Sequence, residues 1–93
     1  MGGRGASAGS NKLYSNLVNN RNVISELKRN IEAQKAENPN ARVGDTRLDS
    51  DRIISNYSDT LTTQEYAKFN WEKAEKELFK KLRSLERESG FKK

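Results

Sequence analysis

Residues 62–91 read TTQEYAKFNWEKAEKELFKKLRSLERESGF, and they carry the clearest structural pattern in the chain. Thr62 and Glu65 match a capping box, in which each side chain accepts a hydrogen bond from the backbone of the other residue. Apolar residues then return every three or four positions, as on one face of an α-helix. This main stripe consists of Trp71, Ala74, Leu78, Leu82 and Leu85. Gly90 is suited to a left-handed helix end, with Phe91 folded back on the stripe. The pattern predicts one long helix between the capping box and Gly90.

A second long amphipathic helix is predicted from Asn11 to Glu37. Its stripe consists of Leu13, Leu17, Ile24, Leu27 and Ile31. Asn20 and Gln34 fall in the same heptad register. Asn20 either fixes the register and partner number of a coiled coil, as a buried polar residue can, or is merely tolerated near a frayed edge. The helix should end at Asn38, because Pro39 disfavours the helical conformation in the preceding residue.

A short helix is predicted between the two long ones, from Asp49 to Asp59. Its buried side consists of Ile53, Ile54, Tyr57 and Leu61 at helical spacing. Turn-forming residues precede it, and Asp45, Asp49 and Ser50 are each suitable N-caps.

The predicted fold is therefore all-α. It is a helical hairpin of two long amphipathic helices with a short third helix between them, which resembles a three-helix bundle. We expect residues 11–93 to form a single helical domain and residues 1–10 to form a flexible tail. The alternative is a homodimer in which the first helix pairs with a second copy.

The chain has 93 residues, with no cysteine and no histidine. Disulfides, thiolate metal sites and the usual general base are therefore excluded. The aspartates around the middle helix lack the glycine and the terminal glutamate of a calcium loop, so capping and pairing with arginines explain them better. They are Asp45, Asp49, Asp51 and Asp59. We expect no enzymatic activity, no cofactor and no metal site.

No apolar run approaches the length of a membrane span, and residues 1–10 lack the apolar core of a signal peptide. The sequence therefore predicts a cytoplasmic protein that has no membrane partner.

The formal net charge is +5, but acidic residues are interleaved with the basic ones. Candidate partner-binding residues are Lys28 and Arg29 on the first helix and Lys73, Lys76, Lys80, Lys81 and Arg83 on the last. The glutamates predicted to interrupt this basic face are Glu72, Glu75, Glu77, Glu86 and Glu88. Two of them are predicted to form ion pairs four residues apart, Glu72 with Lys76 and Glu77 with Lys81. A solvated, ion-paired helix face is thus favoured over a nucleic-acid-binding stripe.

Four aromatic residues lie off the main stripes: Tyr14, Tyr66, Phe69 and Phe79. Each can belong to a second face of the core or can anchor a partner protein. Tyr66 and Phe69 are the two that join the candidate partner-binding residues.

The N-terminal segment is rich in glycine and small residues, and it begins Met-Gly-Gly-Arg-Gly-Ala-Ser-Ala-Gly. Such a segment is typical of a solvated tail, or of a docking peptide in which Arg4 fills an anionic slot. Met1 to Gly9 resembles the leader of many small proteins of bacteriophages and integrated elements in Gram-positive bacteria. This resemblance implies a genomic origin and a bacterial host, and it implies no particular activity.

Three functions fit a small non-catalytic helical protein of that origin. The first is an inhibitor of a host defence nuclease complex, similar to anti-CRISPR proteins, whose partner is a host protein or ribonucleoprotein. The second is a nucleic-acid-binding or regulatory protein. The third is a virion assembly or scaffold protein that self-associates through its first helix. The sequence favours the inhibitor, because an Arg-bearing tail beside a helical body suits insertion into a cleft that binds nucleic acid.

Overall fold

A computed structural model describes residues 12–93, and these residues are mostly helical. The helical segments are α1 (12–19), α2 (Arg21–Glu37), α3 (Ser50–Ser58), α4 (Thr63–Lys68) and α5 (Trp71–Glu88). One isolated parallel bridge, between Arg42 and Lys92, is the β-type pairing that the structure gives this part of the chain. The predicted all-α class is confirmed. Arg4 and the predicted tail lie outside the described residues.

The first long helix is divided at Asn20, so the prediction of one continuous helix is wrong there. Asn20 has an extended backbone (φ −65°, ψ 130°), and its side chain accepts hydrogen bonds from the N–H groups of Asn22 at 2.9 Å and Val23 at 3.2 Å. Asparagine competes with the helix backbone in a helix interior but satisfies free N–H groups at an N-cap. Asn20 therefore starts α2, which neither of the two interpretations from the sequence had proposed.

The last long helix is also divided. The capping box is confirmed, since Glu65 N–H donates to Thr62 Oγ1 at 3.1 Å and Thr62 N–H donates to Glu65 Oε1 at 2.9 Å. The helix that it starts ends at Lys68, however. Asn70 then has an extended backbone (φ −105°, ψ 113°), and its side chain accepts from the Lys73 N–H at 3.1 Å. Asn70 thus acts as a second N-cap, for α5, in the way that Asn20 does for α2.

The two long helical regions run in the same direction, which differs from the predicted hairpin. At one end, the Tyr14 hydroxyl accepts a hydrogen bond from the Asn70 N–H at 2.9 Å, just before α5 begins. At the other end, Lys35 Nζ near the end of α2 donates to the Ser89 carbonyl at 2.5 Å, just after α5 ends. The chain reverses twice between them, once on each side of α3, so the antiparallel hairpin of the long helices is wrong.

Helix α3 runs in the opposite direction to its neighbours. Asp49, one of the three candidates from the sequence, is its N-cap and accepts from the Arg52 N–H at 3.3 Å. Arg52 also pairs with Glu26, about a third of the way along α2. Near the other end of α3, the Tyr57 hydroxyl donates to the Leu13 carbonyl at 2.8 Å.

A single core joins these helices, and it uses most of both predicted stripes. Its fully enclosed apolar side chains are Leu17, Leu27, Ile54, Ala74, Leu78 and Leu82. Trp71 was predicted to belong to the core and is instead 36% exposed. As the first residue of α5, it lies at the edge of the core rather than inside it.

The predicted end of α5 is confirmed. Gly90 has a φ of +91°, and its N–H donates to the Arg87 carbonyl at 3.1 Å. The Phe91 N–H donates to the Glu86 carbonyl at 3.0 Å, and the Phe91 side chain is buried. Together these bonds form a Schellman motif, in which glycine takes the left-handed position.

Candidate functional site

Helix α5 has one buried side and one open side. Its buried residues are Ala74, Leu78, Leu82, Leu85 and Glu86. Basic residues recur at alternating spacings of three and four on the side opposite to these, which places them on one line along the helix. This line, the basic stripe, consists of Lys73, Lys76, Lys80, Arg83 and Arg87. It extends about 21 Å along the helix axis.

Most of the basic stripe is free of ion pairs. The ion pairs within residues 12–93 are Arg52 with Glu26, Arg52 with Asp49, and Arg83 with Glu86. The predicted pairs of Lys76 and Lys81 with glutamates four residues before them are wrong. Lys73, Lys76, Lys80 and Arg87 are exposed, and none of them is paired with a carboxylate in this part of the chain. The stripe therefore presents four cationic side chains that form no direct ion pair in this part of the chain.

The glutamates that were predicted to interrupt the basic residues lie elsewhere. Glu86 is completely buried. Glu75 Oε1 accepts a hydrogen bond from Trp71 Nε1 at 3.2 Å. Glu72, Glu77 and Glu88 lie on the two flanks of the stripe, about 60–100° around the helix axis from its centre. The stripe itself is thus continuous.

Glu86 has a structural function that the sequence analysis missed. Its carboxylate accepts hydrogen bonds from the Gly44 N–H at 2.9 Å, from the Thr46 N–H at 3.0 Å and from Arg83 Nη1 at 3.0 Å. Burial raises the pKa of this carboxyl, but the hydrogen bonds from Thr46, Gly44 and Arg83 outweigh it and lower the pKa below its ordinary value. Its place four residues after Leu82, in line with the buried leucines, was the signal that could have found it.

Arg83 is consequently the constrained member of the basic stripe. Besides its bond to Glu86, its guanidinium carbon lies 5.6 Å from the centroid of the Phe79 ring. Both contacts hold the side chain against the body of the protein. Arg83 therefore supports Glu86, the residue that bonds to the connection between α2 and α3, and it is half-buried.

An aromatic patch consists of Phe69 and Trp71, whose rings are in contact at the start of α5, and of Tyr66 on α4, three residues before Phe69 in the chain. Tyr66 is 57% exposed, and α4, which carries it, contributes no buried side chain. The Phe69 ring is half-buried and lies between Trp71 (6.4 Å, nearly perpendicular) and Tyr14 (5.9 Å, stacked). Lys73 Nζ lies 5.1 Å from the centroid of the same Tyr14 ring. The basic stripe and the aromatic patch therefore meet over Tyr14.

The remaining predicted residues are not part of this surface. Lys28 and Arg29 are exposed on α2, whereas Lys81 is half-buried and lies off the line of the stripe. Tyr14, one of the four off-stripe aromatic residues, is buried and belongs to the core.

No other group of side chains within residues 12–93 suggests a catalytic or metal-binding site. Metal-ligating side chains do not group in threes in this range. Asp45 accepts from the Arg42 N–H at 2.8 Å, so it has a structural role, as the capping residue Asp49 does. A groove between α2 and α3 has apolar Val23 and Ile53 together with Asn22 and Asn56 among its lining residues. None of the helices in the described range is long and apolar enough to cross a membrane.

Comparison with known proteins found no relative of this chain. No family model matches it, and neither curated proteins nor solved structures show a significant similarity to it.

Proposed function

We propose that this protein is a non-catalytic binding protein that contacts the phosphate backbone of a nucleic acid through the basic stripe of α5. One observation carries the proposal: Lys73, Lys76, Lys80 and Arg87 are exposed on one line, and none of them forms an ion pair with a carboxylate of residues 12–93. The nucleic acid is either free or part of a ribonucleoprotein.

Electrostatics supports this partner class. Each phosphate that a lysine or arginine neutralises releases condensed counterions, so a row of cations on a rigid element binds a polyanion with a strong dependence on salt. Helix α5 is such an element, because its opposite side is fixed in the core by Ala74, Leu78 and Leu82. The net charge of +5 adds a long-range attraction of the same sign.

The hypothesis of a host nuclease inhibitor fits the same surface where the target complex contains RNA. The basic stripe would then bind that RNA, and the tail with Arg4 would be an additional contact. Self-association through the first helix is less favoured, because Leu17, Leu27 and Ile31 of its stripe are already enclosed in the core of a single chain.

The test measures binding of fluorescently labelled oligonucleotides by anisotropy over a series of salt concentrations. Four phosphate contacts predict a slope of log K against log salt of about −3.6 for a duplex or about −2.8 for a single strand. Changing Lys73, Lys76 and Lys80 together to glutamine should reduce the magnitude of this slope by two-thirds or more.

The matched control changes Arg21, Lys28 and Arg29 to glutamine, which removes the same charge from exposed positions on α2. This control variant should lose much less affinity than the α5 variant. Equal losses in the two variants, or no binding at low salt, would contradict the proposal.

A further inference from the structure

We infer that the nucleic acid taken by this surface is a single strand, whose phosphates lie along the basic stripe while a base stacks on the aromatic patch at Trp71. This inference rests on the proposed function and deepens it, because the stripe alone would accept any polyanion. Two features of α5 carry it: the position of its acidic residues and the aromatic side chains at its start.

The acidic residues are placed unfavourably for insertion of α5 into a duplex groove. A helix in the major groove points its outer face at the base edges and its flanks at the phosphates of the two strands. Here the cations lie on the outer face, while Glu72 lies on one flank and Glu77 and Glu88 lie on the other. Both groove walls would meet carboxylates. The same arrangement suits a single nucleic-acid backbone that follows the basic stripe between the two acidic flanks.

The aromatic patch provides a stacking surface for unpaired bases, which a single strand exposes and a duplex does not. Unpaired bases stack on exposed aromatic side chains, whereas the bases of a duplex are stacked on one another. Trp71 is 36% exposed and Tyr66 is 57% exposed, and these are the exposed large hydrophobic side chains among residues 12–93. Neither is needed to fill the core, so their exposure is available for a ligand.

The charges around Trp71 also distinguish a base from a phosphate. The indole N–H is bonded to Glu75, and Glu72 follows Trp71 in the chain. These carboxylates repel a phosphate beside the ring but not a neutral base. Lys73, two residues further along, has its ammonium group over the Tyr14 ring that packs against Phe69. The Lys73 ammonium group, which contacts phosphate, is thus linked to the Trp71 ring through the Tyr14 and Phe69 rings at the start of α5.

The chain contains a built-in probe for this contact, because Trp71 is its only tryptophan. A base stacked on the indole quenches its fluorescence, which is excited selectively at wavelengths where tyrosine does not absorb. The probe strand is a mixed-sequence oligonucleotide of about 16 nucleotides without self-complementarity. We expect saturable quenching by this strand, together with at least tenfold weaker binding and little quenching by the same strand annealed to its complement.

Two substitutions separate stacking from folding. Tyr66→Ala removes a side chain that contributes nothing to the core, and Trp71→Leu keeps apolar volume beside Phe69 while it removes the ring. Each should weaken binding of the single strand about fivefold or more, because a stacked base contributes on the order of 1–3 kcal/mol, and should leave the salt slope unchanged. Circular dichroism checks that both variants remain helical.

The outcomes distinguish this inference from the proposed function. Salt-dependent binding that depends on Lys73, Lys76 and Lys80 but favours the duplex, or that leaves Trp71 unquenched, overturns the single-strand inference and keeps the phosphate-binding function. Absence of binding to both forms overturns both. Quenching of Trp71 in the wild type, together with a preference for the single strand that is lost in Trp71→Leu, supports the inference.

Discussion

The Glu86 carboxylate accepts a hydrogen bond from the Thr46 N–H at 3.0 Å, across a separation of 40 residues in the chain. With the neighbouring bond from the Gly44 N–H, this contact fixes the connection between α2 and α3 to the last helix. An ionised carboxylate can accept from both amides at once, so the fold depends on its charge.

Replacing Glu86 with glutamine should therefore destabilise the protein. One amide N–H would face the NH₂ group of glutamine, which is a donor and cannot accept, so a buried donor loses its partner. We expect a loss of about 1–3 kcal/mol in the free energy of unfolding, measured by urea denaturation. Glu88→Gln, an exposed change two residues away, is the control and should change stability by less than about 0.5 kcal/mol.

The same carboxylate should make stability depend on pH. The pKa of Glu86 is lowered in the folded protein, so its stabilising contribution is fully present above the unfolded-state pKa of about 4.3 and is lost as pH falls through the lower, folded-state pKa. Below pH 4.3 the free energy of unfolding of the wild type should fall more steeply than that of Glu86→Gln. Parallel slopes for the two proteins would contradict the assignment.

Asn20→Ala should cost about 1 kcal/mol of stability, because it removes the side chain that caps α2. Asn16→Ala is a matched control, since Asn16 is exposed within α1. The measurement is again the urea midpoint at constant m-value. A stabilised Asn20→Ala variant would indicate that α1 and α2 prefer to merge into the continuous helix that the sequence pattern suggested.

Leu27→Asp should unfold the single chain rather than merely separate copies of it. Leu27 is completely buried, and an uncompensated carboxylate in an apolar core is among the most costly substitutions. Ala33→Asp places the same charge at an exposed position of α2 and should leave the circular dichroism spectrum helical. If Leu27→Asp stays folded and only changes the sedimentation coefficient, the first helix is an interface between copies.

Helical periodicity predicted the leucine-rich stripes, the capping box at Thr62 and the glycine end at Gly90, because these features depend on neighbouring residues alone. The two helix breaks at Asn20 and Asn70 were missed. Asn20 within a continuous apolar stripe is compatible with a tolerated polar position. Each asparagine forms local N-cap bonds, and Asn70 also donates its N–H to the Tyr14 hydroxyl, a tertiary contact that the local pattern does not indicate.

The candidate surface was likewise predicted where it depends on neighbouring residues and missed where it depends on residues distant in the chain. The basic residues of α5 were identified from the sequence, but their accessibility depends on where the glutamates lie. Glu86 was assigned to the solvated face, because its partners Gly44 and Thr46 are some 40 residues away and no local pattern indicates them. Trp71 was assigned to the core, because its spacing fits the apolar stripe. Periodicity alone does not indicate at which residue of a stripe burial ends.

Helix α4 has a consequence for the motions of the protein. It contributes no buried side chain, and local contacts such as the Thr62–Glu65 capping box hold it. Its amide protons should therefore exchange with deuterium through local opening, whereas those of Leu78 and Leu82 should exchange only when the whole chain unfolds. Tyr66 thus lies on a segment that can reorient within the native ensemble at little cost to the rest of the molecule.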